Sequence, residues 1–295
     1  MPWIQLSLLT SKEGAPSTEA AMLESGAESV TLLDAEDQPI HEPAPGETPL
    51  WDAIKVTGLY QTNVDIGATI QVICNATGRQ PHDIEKTELE DQVWERAWLD
   101  QFQPMQFGER LWVCPSTIDP PAPNSVNIML DPGLAFGTGT HPTTALCLTW
   151  LGEQAMKNKT VIDYGSGSGI LGIGAAKLGA KVVHCTDNDP QAMLSTRDNA
   201  NRNHIDPKVL ITHPCENFPP LQADILIANI LAKPLIELVD CFRQLIKPGG
   251  LIALSGILAS HVDEVIEAYA PYFTLEPKRQ QEDWILLCGS KIDHV

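Results

Sequence analysis

Residues 163–169 combine one acidic side chain with three glycines at alternate positions. The segment reads Asp-Tyr-Gly-Ser-Gly-Ser-Gly and follows the apolar residues Val161 and Ile162. A strand that leads through a turn without side chains directly into a helix lets a ligand approach main-chain N–H groups closely. The pattern therefore predicts a nucleoside cofactor site whose floor includes Gly165 and Gly167.

An acidic residue after the next apolar run points to a ribose-binding position. Residues 181–186 have the composition of a strand, and Asp187 follows it, 24 positions after Asp163. A carboxylate about 20 residues beyond a glycine turn accepts hydrogen bonds from ribose hydroxyls. Asp189 and Pro190 suit the cap and first position of the following helix. We therefore expect Asp187 to be available to the ligand.

The turn fits two classes of cofactor. Gly167, Gly169 and Gly172 satisfy the G-x-G-x-x-G pattern of dinucleotide-binding enzymes, which makes an NAD-dependent oxidoreductase one interpretation. In such enzymes the first glycine directly follows an apolar strand, whereas here Asp163 and Gly165 precede Gly167. The Asp-x-Gly-x-Gly-x-Gly arrangement resembles motif I of S-adenosylmethionine-dependent methyltransferases, so we expect S-adenosylmethionine as the cofactor.

Two further segments carry polar groups where such a ligand would bind. Asn229 interrupts an apolar run at the carboxyl end of a predicted strand, the place where parallel sheets bind ligands; capping of the next helix is the alternative role. Residues 136–144 begin with Phe136 and lead through Pro142 into Thr143 and Thr144. That helix entrance is rich in N–H and O–H donors. We expect it to close over the cofactor.

The rest of the second half predicts an α/β fold. Its apolar runs lack alternation, as in parallel strands covered on both faces by helices. Strands are expected at 181–186, 209–212, 223–232 and 251–255, with a turn at 247–250 and a closing antiparallel pair at 273–277 and 283–288. Helices are expected at 142–151, 170–178, 191–202 and 261–270.

The first half predicts a smaller α+β domain. Its expected order is strand 3–9, helix 18–25, strand 29–34, strand 52–59, helix 65–77 and strand 83–89, which is compatible with a ferredoxin-like domain. Trp94, Trp98 and Phe102 recur every four residues and predict a linker helix over 91–102. Prolines between 115 and 123 mark the entry to the next domain. The boundaries are therefore 1–90 for substrate recognition, 91–125 for the linker helix and connection, and 126–295 for the catalytic domain.

The charge of the chain bears on its partner. The formal net charge is −19, and residues 1–100 hold 18 acidic against five basic side chains. Binding of phosphates requires lysine and arginine, so direct recognition of nucleic acid is not expected. An acidic front domain would instead attract a basic protein, although an acidic surface that only aids solubility is the alternative.

Other residue patterns limit the class of protein. The seven cysteines include no C-x-x-C pair and the eight histidines include no H-E-x-x-H spacing, so no metal site is predicted. His141 is the histidine inside a functional segment, where a loop-positioning role suits it better than that of a base. The start of the chain lacks the features of a signal peptide, and no apolar run reaches 18 residues, which favours a cytoplasmic location away from membranes.

Three segments together resemble the PrmA family, the methyltransferases of large-subunit ribosomal protein L11. These are residues 131–144, 161–171 and 228–232, and residues 1–6 and 107–112 are similar as well. The resemblance implies a seven-stranded, Rossmann-like class I methyltransferase domain behind a substrate-recognition domain. It also implies S-adenosylmethionine-dependent methylation of lysine side chains and an α-amine of L11.

The resemblance places the family's cofactor contacts on Thr144, Gly165, Asp187 and Asn229. Ser166 stands where many members have cysteine, which matters little in a turn that acts through its backbone. Asn229 is also the expected catalytic residue, because its amide oxygen can orient the attacking amine. A noncatalytic adaptor that only binds a basic protein is the remaining alternative.

Overall fold

The computed structural model describes residues 3–36, 38, 49–89, 102–131 and 136–293. The chain divides into two compact units, Met1–Arg96 and Ala97–Val295. Most of the linker helix expected over 91–102 lies outside the described residues. Its last residue, Phe102, is buried in the core of the second unit.

The first unit is a four-stranded sheet with two helices. Its elements are β1 (Trp3–Ser11), α1 (Ala15–Glu24), β2 (Ser29–Asp34), β3 (Ala53–Gln61), α2 (Ile66–Thr77) and β4 (Ile84–Leu89). The strand order is β2-β3-β1-β4, and every neighbouring pair is antiparallel. Alternate residues of β1, namely Ile4, Leu6 and Leu8, are buried in one core with Ile73 of α2. The period of two therefore directs one face of the strand to the helices.

The second unit is built on a mostly parallel sheet. Its strands are β8 (Thr160–Tyr164), β9 (Val182–Asp187), β10 (Leu210–Pro214), β11 (Ala223–Asn229), β12 (Ile246–Leu258), β13 (Phe273–Gln281) and β14 (Trp284–Lys291). They lie in the order β10-β9-β8-β11-β12-β14-β13, with β14 antiparallel to both of its neighbours. The α/β character and the antiparallel closing pair agree with the sequence prediction.

Helices cover both faces of this sheet. They are α3 (Pro142–Glu153), α4 (Ile170–Lys177), α5 (Pro190–Arg202), α6 (Ala232–Glu237), α7 (Val239–Leu245) and α8 (Val262–Tyr269). Val161 and Ile227 face the core that contains residues of α3 and α4, whereas Ile162 and Leu226 face the core that contains α6, α7 and α8. Because both faces of β8 and β11 are buried, their apolar runs show no alternation, as predicted. No helix in the described part of the chain is long and apolar enough to cross a membrane.

Two features of this unit differ from the sequence prediction. Strands β5 (Met105–Phe107), β6 (Leu111–Cys114) and β7 (Val126–Met129) form a small sheet that we did not predict, since three or four residues are too few to show a period. The turn expected at 247–250 was wrong, because these residues belong to β12. Gly249 takes a φ of +67° there, and the β11–β12 register shifts nearby, so the glycines bend the strand without ending it.

Asn203, which directly follows α5, links that helix to β7 of the small sheet. Its side-chain oxygen accepts the Met129 N–H at 2.8 Å, and its side-chain nitrogen donates to the carbonyls of Met129 at 2.7 Å and Asn199 at 2.9 Å. The residue is 5% exposed. Its amide therefore satisfies partly buried main-chain groups at the edge of β7.

Removal of this amide should destabilise the second unit. Truncation in Asn203→Ala leaves the partly buried N–H and carbonyl of Met129 without these partners, and we expect the free energy of unfolding to fall by about 1–2 kcal/mol. Asn201→Ala, an exposed change on the preceding helix α5, should alter it by less than about 0.5 kcal/mol. Urea denaturation measures both, and equal effects would show that the contact with Met129 contributes little.

Candidate active site

The glycine turn between β8 and α4 has the backbone conformation that its sequence predicts. Gly165, Gly167 and Gly169 have φ values of +77°, +54° and +81°. An added Cβ would lie 2.4 Å from Ile230 Cγ2 at Gly165, and 2.6 Å from the Phe136 carbonyl oxygen at Gly167. Positive φ and close neighbours together make glycine necessary at these positions.

The loop before α3 holds this turn in place. The Ser168 N–H donates to the Phe136 carbonyl at 2.9 Å, and the Ser168 hydroxyl donates to the Gly137 carbonyl at 2.5 Å. The Phe136 side chain itself is 58% exposed. The backbone of the predicted cofactor loop therefore packs on the glycine turn while its aromatic side chain faces outward.

Asp187 lies beside the turn at the end of β9. Its Oδ2 accepts the Gly167 N–H at 2.9 Å, and its Oδ1 accepts the Asp189 N–H at 3.0 Å. Asp189 caps α5 by accepting the Gln191 N–H at 2.8 Å, as expected. These two main-chain contacts of Asp187 were not predicted. They orient its carboxylate, and each oxygen still has a second lone pair for a ligand.

A second carboxyl group, that of Asp163, lies beneath the turn. It is fully buried; its Oδ2 accepts the Gly172 N–H at 2.8 Å, and its Oδ1 has no hydrogen-bond partner among the described residues. Burial raises the pKa of Asp163 to about 7; the Gly172 N–H opposes this shift, and the nearby charge of Asp187 adds to it. The group is therefore poised between its neutral and charged forms near neutral pH.

Asn229 lies at the end of β11 and contacts the start of α3. Its Nδ2 donates to Thr144 Oγ1 at 3.3 Å, and Ser255 Oγ donates to the Thr143 carbonyl at 3.2 Å. A pocket of about 270 Å³ opens at this point. It is lined by Phe136, His141, Thr143, Asn229, Ile230, Leu231, Gly256 and Trp284. Its walls are mainly apolar, and the Asn229 amide is a polar group within them.

The His141 ring forms part of the wall. Its centroid lies 5.4 Å from that of Phe136 and 5.2 Å from that of Trp284, with edge-to-face geometry in both pairs. Burial lowers the pKa of His141, and the charge of Glu282 opposes this shift. A larger, shallow groove of about 470 Å³ lies along β13 and β14 and includes none of the predicted site residues.

The structure brings the predicted site residues into one connected set. Asp187 contacts Gly167, and Gly167 faces the Phe136 carbonyl. Phe136, Thr143 and Asn229 line the pocket, Thr144 contacts Asn229, and Gly165 contacts Ile230. The sequence analysis did not assign Asp163 and Trp284 to the site. The position of Asp163 at the start of the turn was a usable signal, whereas nothing in the sequence placed Trp284 near Asn229.

Comparison with known proteins identifies the family. The family model described as ribosomal protein L11 methyltransferase (PrmA) matches residues 2–292. The chain belongs to this family. The resemblance seen in the sequence is confirmed.

Individual relatives of the PrmA family match over the full chain. Proteins named ribosomal protein L11 methyltransferase from Pseudomonas paraeruginosa and Marinobacter nauticus are each 49% identical, over 99% of this chain and 99% and 100% of their own. One from Photorhabdus laumondii is 50% identical over 99% of both chains. A crystal structure of ribosomal protein L11 methylase from Lactobacillus delbrueckii subsp. bulgaricus is 32% identical, with a TM-score of 0.59, over 65% of this chain and 100% of that one. The oxidoreductase and adaptor alternatives have no support among these relatives.

The buried carboxyl group of Asp163 predicts a pH dependence of stability. Its folded-state pKa of about 7 lies above the ordinary value of about 4. Between these values the folded chain keeps a proton that the unfolded chain releases, so wild-type stability should fall as pH rises through this window. Asp163→Asn has no proton to lose. We expect the melting temperature of the variant, relative to wild type, to increase from pH 5 to pH 8.

Asp198→Asn, an exposed change on α5, is the control and should give a flat difference. A flat difference for Asp163→Asn as well would show that the buried carboxyl group does not change its protonation state in this range.

Proposed function

We propose that this protein transfers methyl groups from S-adenosylmethionine to amino groups of ribosomal protein L11. The acceptors are lysine side chains and an α-amine. Family membership supports the activity and the substrate. The observation that carries the proposal is the connected set of contacts from Asp187, through the glycine turn, to Asn229 at the pocket.

The residues around the turn suit S-adenosylmethionine. The Asp187 carboxylate is held at a strand end, where it can accept hydrogen bonds from ribose hydroxyls. The segments 136–144, 163–169, 185–189 and 228–231 contain no lysine or arginine, so they offer no cationic side chain to a phosphate. When bound, the cofactor supplies an electrophilic methyl group on a sulfonium. Gly165, Gly167, Thr144 and Asn229 would hold it, together with Phe136 and Thr143. The sheet order supports a seven-stranded class I methyltransferase domain.

The pocket suits an amine in its neutral form. A lysine side chain has an ordinary pKa of about 10.4 and must lose its proton before it can attack. Mainly apolar walls disfavour the charged form and so lower that pKa. They also exclude water from the reacting groups. The protein's contribution is then chiefly to align the amine with the methyl group.

Asn229 is placed to provide this alignment. An amide cannot act as a base at ordinary pH. Its Nδ2 donates to Thr144 Oγ1, which fixes the side chain and leaves Oδ1 able to accept from the incoming amine. Asn229 is thus the proposed catalytic residue, and it acts by orientation rather than by proton abstraction.

The first unit is the proposed recognition domain for L11. The strand order β2-β3-β1-β4 with two helices supports a ferredoxin-like fold. The excess of acidic residues in this half of the chain would attract a basic protein by long-range electrostatics. We propose residues 1–90 as this domain, 91–125 as the linker helix and connection, and 126–295 as the catalytic domain.

Substitution of Asp187 should weaken cofactor binding. Asp187→Asn removes the charge and one acceptor, and we expect the dissociation constant for S-adenosylmethionine to rise about 10- to 100-fold. Asp189→Asn makes the same change two residues later and preserves a good helix cap, so it should bind nearly as wild type. Calorimetric titration compares the two. Similar losses in both variants would contradict a specific ribose contact at Asp187.

Substitution of Asn229 should impair turnover. We expect Asn229→Ala to lower kcat by about 100-fold at saturating cofactor and L11, because the amine is no longer aligned. Asn217→Ala, an exposed change in the same unit, should have wild-type kcat. Transfer of a labelled methyl group to L11 is the measurement. A wild-type kcat in Asn229→Ala would remove Asn229 from the mechanism.

The substrate assignment has its own test. The wild-type protein is incubated with methyl-labelled S-adenosylmethionine and purified ribosomal protein L11, and the modified residues are mapped by mass spectrometry. We expect label on lysine side chains and on the α-amine. An unlabelled L11, with cofactor binding intact, would show that the acceptor is a different molecule.

A further inference from the structure

His141 contacts two parts of the site at once. Its ring lies edge-to-face against both Phe136 and Trp284, which come from the cofactor loop and from the start of β14. All three rings line the pocket that contains Asn229. His141 therefore lines the proposed acceptor pocket itself and also packs against two other aromatic residues that line it.

The same side chain caps α3. Nδ1 accepts the Thr143 N–H at 3.3 Å and lies 2.8 Å from Thr143 Oγ1. Thr143 and Thr144 form the first turn of this helix, and Thr144 contacts Asn229 at 3.3 Å. The cap thus fixes the backbone that carries both threonines.

We propose that His141 is a positioning residue of the methyl-transfer site, whose uncharged ring couples the N-terminus of α3 to the aromatic wall of the acceptor pocket. This inference rests on the proposed function and extends it to a residue that contributes no reacting atom. The ring contacts of His141 shape the pocket for the acceptor amine. Its cap contact holds Thr143 and Thr144, which are proposed to bind the cofactor.

The cap contact depends on a neutral ring. Where Nδ1 accepts the Thr143 N–H, Nδ1 is unprotonated and the ring proton lies on Nε2, and the Thr143 hydroxyl at 2.8 Å is then the donor to Nδ1. A cation at this end of a helix also opposes the helix dipole. Glu282, in the turn before β14, is the charged group that faces the ring, and the other lining residues of the pocket carry no titratable group. Burial outweighs the Glu282 charge and keeps the pKa of His141 below its ordinary value.

Two variants separate the ring contacts of His141 from its helix cap. His141→Asn keeps a cap acceptor and loses the ring, whereas His141→Phe keeps a ring and loses the acceptor. We expect His141→Asn to bind S-adenosylmethionine within about 2-fold of wild type and to show a KM for L11 raised about 10-fold. We expect His141→Phe to bind S-adenosylmethionine about 3- to 20-fold more weakly, the range that corresponds to loss of a helix cap, with a smaller change in KM for L11.

The pH dependence of cofactor binding distinguishes loss of the helix cap from simple loss of packing. Because the pKa of His141 lies below its ordinary value of about 6.5, the ring should gain its proton and lose the cap as pH falls from about 6.5 to about 4.5, and wild-type affinity for S-adenosylmethionine should weaken over that range. His141→Asn has a cap that does not titrate, and its affinity should change less over the same range. His204→Asn, at an exposed histidine outside the site, should follow the wild-type profile. Circular dichroism and melting curves show that each variant is folded.

The results distinguish this inference from the proposed function. Cofactor binding is measured without L11, so the pH series and the binding difference between the variants stand even if L11 is not methylated. The inference is overturned if both variants lose cofactor affinity equally, or if His141→Asn keeps both the wild-type KM and the wild-type pH profile.

Discussion

The parallel register of three strands brings Gly165, Asp187 and Asn229 to one edge of the sheet, and the rest of the site is built around that edge. β8 lies between β9 and β11, with Tyr164 opposite Thr186 on one side and Ala228 on the other. The residue after each partner is therefore at the same edge of the sheet. These next residues are Gly165, Asp187 and Asn229. A shift of register by one residue would move the polar groups away from the turn and expose a buried face, so the apolar core of the sheet also specifies the site.

The turn between β8 and α4 depends on glycine and on a buried carboxyl group. It places three glycines at positive φ and buries the Asp163 carboxyl group with one oxygen unpaired among the described residues. The surrounding structure compensates with specific contacts: the Ser168 N–H to Phe136, the Gly167 N–H to Asp187 and the Gly172 N–H to Asp163. A buried carboxyl group with an unpaired oxygen is the kind of local cost found at functional sites, where polar groups must be presented to a ligand.

The sequence predicted the parts of the site that depend on local pattern. Gly165, Gly167 and Asp187 follow from a glycine turn and an acidic residue at the correct spacing, and Asn229 follows from its place at a strand end. The contact between Asn229 and Thr144 joins residues 85 positions apart, and that between Trp284 and His141 joins residues still further apart. No local pattern encodes such contacts, because they arise from the packing of α3 against the sheet. The sheet of β5, β6 and β7 was missed for a different reason, because its strands are too short to show a period.

We propose above all that the edge formed by β8, β9 and β11 binds S-adenosylmethionine rather than a dinucleotide. Glycine spacing alone was compatible with both cofactors, and family membership favours the first. Calorimetric titration of the wild-type protein with S-adenosylmethionine and, separately, with NAD tests the claim directly. We predict binding of one S-adenosylmethionine per chain and no binding of NAD. Binding of NAD without binding of S-adenosylmethionine would contradict it.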